Sequence, residues 1–288
     1  NMKIDFSIRR MKISRSAGGD IFLLFVLITT GLFMAIPLVY TITGAFKPMN
    51  ELFLYPPRIL VRNPTLDNFK DLFILMSETW IPITRYLANS LLIVVLGTGG
   101  HVIISSMGAY VVCKHQFPGK RFFSEMVVLS LMFAAEVTAI PNFLIMSKLG
   151  WINTLKSIIV PAWGYSLGFY LMSRFMTQIP DVLLEAAKLD GASEFRIFWT
   201  IVMPSVKPAW LTLMILSFQQ LWRDQGGRFI YKEVLKPLPY ALQQMASGGL
   251  ARQGVAAVVG LIMMIIPIIL FVFNQSKIVE TMTTSGID

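Results

Sequence analysis

The sequence predicts an all-α membrane protein with six transmembrane helices and a helix-turn-helix outside the lipid. Three observations carry this. Of 288 residues, 55% are apolar and only 14% charged, against about 25% charged residues in a soluble domain, and the mean hydropathy is positive. Apolar runs at 21–44, 83–112, 122–147, 157–177, 205–222 and 252–275 each approach the roughly 20 residues that a helix needs to cross a core about 30 Å thick. The segment 179–204 is amphipathic instead and carries the turn chemistry of two short helices. Helices are the expected spanning form because each satisfies its own backbone hydrogen bonds in lipid. The expected organisation is a tail over 1–20, one membrane domain over 21–275 and a second tail over 276–288.

The first run follows a basic stretch of Lys3, Arg9, Arg10, Lys12 and Arg15. It is too long for the apolar core of a secretory signal and lacks a small-residue cleavage site, so it is expected to be the first span. The polar stretch 47–81, with Pro48, Pro56, Pro57 and Pro64, is expected outside the membrane. In the second run Gly97, His101, Ser105 and Gly108 recur at helical spacing, and small residues on one face allow close helix approach. Two readings of His101 stand open, a titrating group in a solute pathway or a hydrogen bond to a neighbouring helix. Glu136 in the third run is open in the same way, between a cavity-facing role and structural pairing. Pro37, Pro141, Pro161 and Pro267, with Gly164 and Gly168, leave two readings open: they kink their spans, as membrane helices tolerate where neighbours re-satisfy the freed carbonyls, or they reflect only that proline and glycine are commoner in membrane helices than in soluble ones. A further extramembrane segment runs from Arg223 to Gly249.

The formal charge of +9 sits in short segments between apolar runs, so anionic lipid headgroups, not nucleic acid, are the expected partners of the basic residues. Cys113 is the only cysteine, and His101 and His115 are the only histidines, which argues against disulfides and Cys/His metal sites within the chain. Lys and Arg divide almost evenly between the two sides of the six-span topology, and only the basic tail favours a cytoplasmic N-terminus.

The segment 179–204 has its own logic. Asp181 is expected to cap a first short helix, on which Glu185 and Lys188 lie three apart. Gly191 can end that helix in the left-handed conformation. Ala192 or Ser193 then opens a second helix with Phe195, Phe198 and Trp199 on one face, and Pro204 closes the unit.

Here the sequence resembles the permeases of binding-protein-dependent ABC importers, whose signature reads Glu-Ala-Ala, three residues, glycine, nine residues, then Ile-x-Leu-Pro. Glu185, Ala186, Ala187, Gly191, Ile201 and Pro204 occupy those positions, with Met203 in place of the leucine. Ile140–Leu144, Leu149–Thr154 and Glu280–Gly286 add likeness to the carbohydrate branch, that of the maltose-type second permease subunit. The resemblance implies that 181–203 is a cytoplasmic coupling loop, the EAA loop, docking on a separate ATPase through Glu185, Ala186, Ala187, Gly191 and Pro204, with both termini in the cytoplasm. It further implies a second homologous permease, two ATPase copies and an extracytoplasmic sugar-binding protein. The chain has no phosphate-binding loop, since Gly119-Lys120 lacks the earlier glycine. No cofactor is therefore expected on the chain, and ATP and magnesium belong to the ATPase.

For the solute path, aromatic rings that stack on sugar faces and amides that bind hydroxyls are the candidates: Trp163, Tyr165, Phe169 and Tyr170 in the fourth run, and Phe218, Gln219, Gln220 and Trp222 in the fifth. Packing between helices accounts for aromatic residues equally well. The segment 223–252 holds Arg223, Arg228, Lys232, Lys236 and Arg252 against Asp224 and Glu233. Such a cluster would concentrate an anionic solute, and arginine can grip a carboxylate bidentately. This suggests an acidic, plant-polysaccharide-derived oligosaccharide, as does a likeness to permeases for pectic fragments; an acidic binding protein or anionic lipid would also answer to these charges. The alternative class is a secondary transporter or channel for a small polar solute, which would call for inverted repeats or a run of intramembrane charges. A membrane-embedded enzyme would call for a nucleophile, paired acids or metal ligands within the spans.

Overall fold

The computed structural model describes residues 17–133 and 137–284; Glu136 lies outside them. All regular structure among the described residues is helical. Helix α1 covers Ala17–Ala45, α2 Met49–Leu52, α3 Asp67–Ser77 and α4 Ile83–Lys114. Next come α5 at Lys120–Ser130, α6 at Ala139–Lys148, α7 at Lys156–Trp163 and α8 at Ser166–Met176. The short helices α9 (Asp181–Leu189), α10 (Glu194–Ile197) and α11 (Met203–Ser205) precede α12 at Lys207–Trp222. Then α13 (Leu238–Ala246) lies in the following loop, and α14 covers Gln253–Thr284.

Three stretches among the described residues are single helices long and apolar enough to cross a membrane: Gly18–Ala45, Ile83–Lys114 and Gly249–Phe273. Glu194–Ser205 and Lys207–Trp222 meet the same test as a pair, bent by 81°. The third and fourth apolar runs, expected to be single spans, are each two helices. In the fourth, the α7–α8 break falls at Gly164 and Tyr165, and Tyr165 adopts an extended conformation with ψ 120°. Pro161 weakens the ladder just upstream by removing a donor. In the third, α5 ends at Ser130 and α6 begins at Ala139, two residues before Pro141.

Helix α4 is the centre of the molecule, packing on α7, α8, α12 and α13, while α14 packs on α1, α3, α12 and α13. Gly97 from the expected small-residue face of α4, the neighbouring Gly100, and Gly168 on α8 make room for this packing. A Cβ on Gly97 would lie 2.5 Å from Leu221, one on Gly100 2.0 Å from the Trp163 indole, and one on Gly168 2.3 Å from His101, so these glycines are what lets the helices touch. His101 is buried, with Nε2 3.1 Å from the Tyr165 carbonyl and Nδ1 3.1 Å from Ser217 Oγ. A carbonyl only accepts, so Nε2 carries the proton and Nδ1 accepts from the serine hydroxyl. Both ring nitrogens are thus spent in tying α4 to α12 and to the α7–α8 break, the structural one of the two readings.

One core gathers Ile93, Val94, Trp222, Leu242 and Val258; a second gathers Ala109, Met172, Ile197, Val206 and Leu213 and continues into the α9–α10 unit through Leu184 and Phe198. The outer side chains of α1 from Ile21 to Ile28 are exposed, as they are on a surface that faces lipid. At its N-terminal end α4 clasps the loop before α13. Asn89 Nδ2 donates to the Val234 and Lys236 carbonyls at 2.8 and 2.9 Å, Tyr86 donates to Glu233 at 2.7 Å, and Ser90 Oγ accepts from Leu238 N–H at 2.7 Å.

Candidate functional site: a coupling unit and a polar cavity

The α9–α10 unit is a helix-turn-helix as expected. Gly191 has φ +79°, the left-handed conformation that glycine adopts without a Cβ penalty. Around it Gly191 N–H donates to Lys188 O and Ala192 N–H to Ala187 O, both at 3.0 Å, the double closure that satisfies the last carbonyls of a helix. Ser193 caps α10, its Oγ accepting from Arg196 N–H at 3.4 Å. Glu185, Ala186 and Ala187 lie on α9, with Glu185 and Ala186 exposed, and Leu189 is 89% exposed at its end.

Two expectations are corrected here. Asp181 does not cap α9; it sits inside the first turn, and Lys114 at the end of α4 reaches it at 2.7 Å. The ammonium beside it, as hydrogen-bond donor and as charge, holds the Asp181 carboxyl below the usual carboxylate range. Glu185 and Lys188 lie on the exposed surface of α9 as expected, and Lys188 pairs with Glu194 at 2.6 Å. Phe195, Phe198 and Trp199 lie together, the Trp199 ring 6.1 and 5.1 Å from the other two, but they are not covered alike as one face of a helix would be. Phe198 is buried against Tyr110 while Phe195 and Trp199 remain exposed, because residues Phe198–Val202 form a wider π turn that breaks the simple helical spacing. Pro204 follows that turn within α11, just before the bend into α12.

A cavity of about 1050 Å³ lies where the two broken runs meet the start of the 223–249 loop. Ser130, Asn142, Tyr165, Ser166, Gln220, Arg223, Asp224 and Arg228 give it hydroxyl, amide and charged groups. Burial pushes the Asp224 carboxyl up, against the Gly226 N–H, which it accepts at 2.7 Å, and against Arg228. Of the pathway candidates, the cavity brings together Tyr165 and Gln220. Trp163 instead donates its indole N–H to the Leu96 carbonyl at 2.9 Å, Trp222 is buried and stacked on Phe218, Tyr170 lies under Arg174, and Phe169 packs on Phe123. Gln219 is half-buried away from the cavity lining. Sequence reasoning missed Asn142, Ser166 and Asp224 as lining groups; the only signal for them was their nearness to helix-breaking residues.

Residues 21–283 match the family model described as "Binding-protein-dependent transport system inner membrane component". The chain belongs to this family. As a member, it is an inner-membrane permease, the transport subunit of an ABC importer. The permease is similar to an arabinooligosaccharides transport system permease protein of Halalkalibacterium halodurans, 29% identical over 264 residues, covering 87% of this chain and 90% of the relative. It is also similar to a probable ABC transporter permease protein of Pyrococcus horikoshii, 25% identical over 88% of this chain and 92% of the relative. Among solved structures, the permease superposes on a chain of a bacterial ABC transporter involved in the import of the acidic polysaccharide alginate, with TM-score 0.75 and 22% identity over 91% of this chain and 98% of that one. This likeness establishes the shared fold.

Proposed function

We propose that the permease is one of two homologous membrane subunits that together carry oligosaccharides from an extracytoplasmic binding protein into the cytoplasm, driven by two copies of a separate ATPase that binds the ATP and magnesium. In this reading the chain crosses the membrane six times, the third and fourth crossings each being made of two helices. The α9–α10 unit and both termini face the cytoplasm, and Glu185, Ala186, Ala187, Gly191 and Pro204 form or shape the ATPase contact. The observation that carries the reading is the Gly191 turn at φ +79°, set at the signature distance from Glu185-Ala186-Ala187, in a chain that matches the family over 21–283. The exposed alanine at 186 permits close approach, and the exposed Glu185 carboxylate suits a basic residue on the ATPase.

Oligosaccharide as solute is supported by the arabinooligosaccharide relative and by the hydroxyl and amide lining of the cavity, groups that match sugar hydroxyls. Within that class we propose an acidic sugar. Lys236 is buried over the Tyr240 ring at 3.9 Å, and Arg252 donates to the Met245 carbonyl, which leaves Arg223 and Arg228 as the cations at the cavity wall. Reconstituted transporter with its cognate binding protein, offered neutral and uronate-containing oligosaccharides of equal length, should take up the uronate sugar faster. Uptake of the neutral sugar alone would refute the acidic solute, and uptake of neither the oligosaccharide class altogether.

A further inference from the structure

The C-terminal end of α4 and the coupling unit meet at one carboxylate. Glu194 Oε2 accepts the Tyr110 hydroxyl at 2.7 Å and Oε1 accepts Lys188 Nζ at 2.6 Å, with His115 Nε2 3.6 Å from Oε2. Tyr110 is buried and belongs to α4, Lys188 belongs to α9, and Glu194 itself opens α10. One residue thus holds both short helices of the unit to the helix on which most of the molecule packs. The His115 ring stands edge-on to Tyr110 at 5.3 Å and closes the site from the side. Lys114 adds a second, separate link, to the Ile179 carbonyl and to Asp181 at the start of α9.

We propose that Glu194 is a positioning residue through which movement of the coupling unit reaches α4. The proposal rests on the reading of α9–α10 as the ATPase contact and adds a residue outside the family signature. Apolar contacts between Leu184, Ile197 and the core below them resist separation but allow sliding, whereas a charge-assisted hydrogen bond is short and directional. With both carboxylate oxygens engaged, a tilt of α9 or α10 pulls on Tyr110 near the end of a 32-residue helix about 48 Å long.

The test uses the assembled complex in proteoliposomes with liganded binding protein, measuring uptake per ATP hydrolysed, the amount of copurified ATPase and the melting temperature. Glu194→Ala should lower uptake per ATP about fivefold, the size expected of one coupled side-chain interaction. Tyr110→Phe should give a similar loss, and the double variant should be no worse than Glu194→Ala alone, because both break the same link. Glu194→Gln keeps an acceptor for Tyr110 and should recover part of the ratio. Copurified ATPase and melting temperature should stay near wild type. Normal uptake per ATP in Glu194→Ala, losses that multiply in the double variant, or a loss explained by earlier melting would each overturn the proposal. If Glu194→Ala fails to assemble, Tyr110→Phe decides, since it removes a single hydroxyl; a normal ratio there is equally fatal. Gly191→Val run in parallel separates the two levels. Normal transport in Gly191→Val defeats the coupling-unit reading, while a deficient Gly191→Val beside normal Glu194 and Tyr110 variants defeats only the role of Glu194.

Discussion

The two ends of α4 are both fastened, by different chemistry. At the N-terminal end Asn89 and Ser90 bind backbone groups of the 233–238 loop in buried surroundings. At the C-terminal end Tyr110, Lys114 and Lys188 meet the side-chain carboxylates Asp181 and Glu194, which are 73% and 48% exposed. Buried bonds to backbone are costly to open, because the carbonyls left behind find no other donor. The carboxylates at the other end keep one side in water while Tyr110 and Lys114 are buried, so these charge-assisted bonds cost less to open than a buried backbone pair but remain short and directional. The loop end is thus held through backbone groups and the α9–α10 end through partly exposed side-chain carboxylates, so the second fastening depends on charge and the first does not.

The largest effect should come from Gly191→Val. Nothing lies within 4 Å of a Cβ added there, so the obstacle is the backbone. A β-branched residue at φ +79° is disfavoured by roughly 1–2 kcal/mol or more and would swing α10 relative to α9. Membrane insertion should persist while uptake falls by an order of magnitude or more; normal uptake in a well-expressed variant would break the comparison at its coupling end.

Asn89→Ala comes next and probes the opposite end. It strips the Val234 and Lys236 carbonyls of their donor at a cost of about 1–3 kcal/mol. The expected signature is a lower melting temperature and faster proteolysis of the 223–232 segment, with uptake per ATP near wild type. A selective fall in uptake per ATP with unchanged melting would show that this end moves too.

Gln220→Leu acts between the ends, in the cavity. Loss of its amide should raise the apparent KM for solute about fivefold, as removal of one hydrogen bond does, and leave uptake per ATP at saturation unchanged. An unaltered KM would move the solute path away from Tyr165 and Gln220.

The smallest effect is expected from Lys114→Met, since its partner Asp181 is exposed and screened. The sign with pH follows from the depressed Asp181 pKa. The pair contributes above the usual carboxylate range and is lost as pH falls through the lower, folded-state value. The difference between wild type and Lys114→Met should therefore shrink in acid, leaving the share that comes from the Lys114 bond to the Ile179 carbonyl; a difference that grows in acid would contradict the ion pair.

The long helices and the Gly191 turn were legible in the sequence because each has a local cause. An unbroken apolar run specifies α1 and α4 to within a few residues, whereas α14 continues past its run at 275 to Thr284, into the segment expected to be a tail; a glycine at the end of an amphipathic helix specifies a left-handed closure. The broken runs were not, because 122–147 and 157–177 are equally apolar whether continuous or interrupted, and whether Pro161 and Gly164 break or merely bend the chain depends on what packs beside them. The partners of Asp181 and Lys188 were hidden for a related reason: Lys114 and Glu194 compete for them from positions set by where α4 ends in space, not by spacing along one helix. Trp163 and Trp222 show the converse, two aromatic residues chosen for a solute and taken up by packing. Tyr165 and Gln220 reach the cavity because each sits at or near a helix end.

The most direct test of the account is a cross-link between the coupling unit and the ATPase. In a Cys113→Ser background, Leu189→Cys places a thiol at an 89% exposed position at the end of α9, beside the Gly191 turn, and Lys232→Cys places one next to the loop held at the opposite, N-terminal end of α4. The account predicts that Leu189→Cys forms a disulfide or short bis-maleimide cross-link with a cysteine on the cytoplasmic ATPase, to an extent that changes with ATP, and that an impermeant thiol reagent added to intact cells labels Lys232→Cys but not Leu189→Cys. Labelling of Leu189→Cys from outside, with no cross-link to the ATPase, would contradict it.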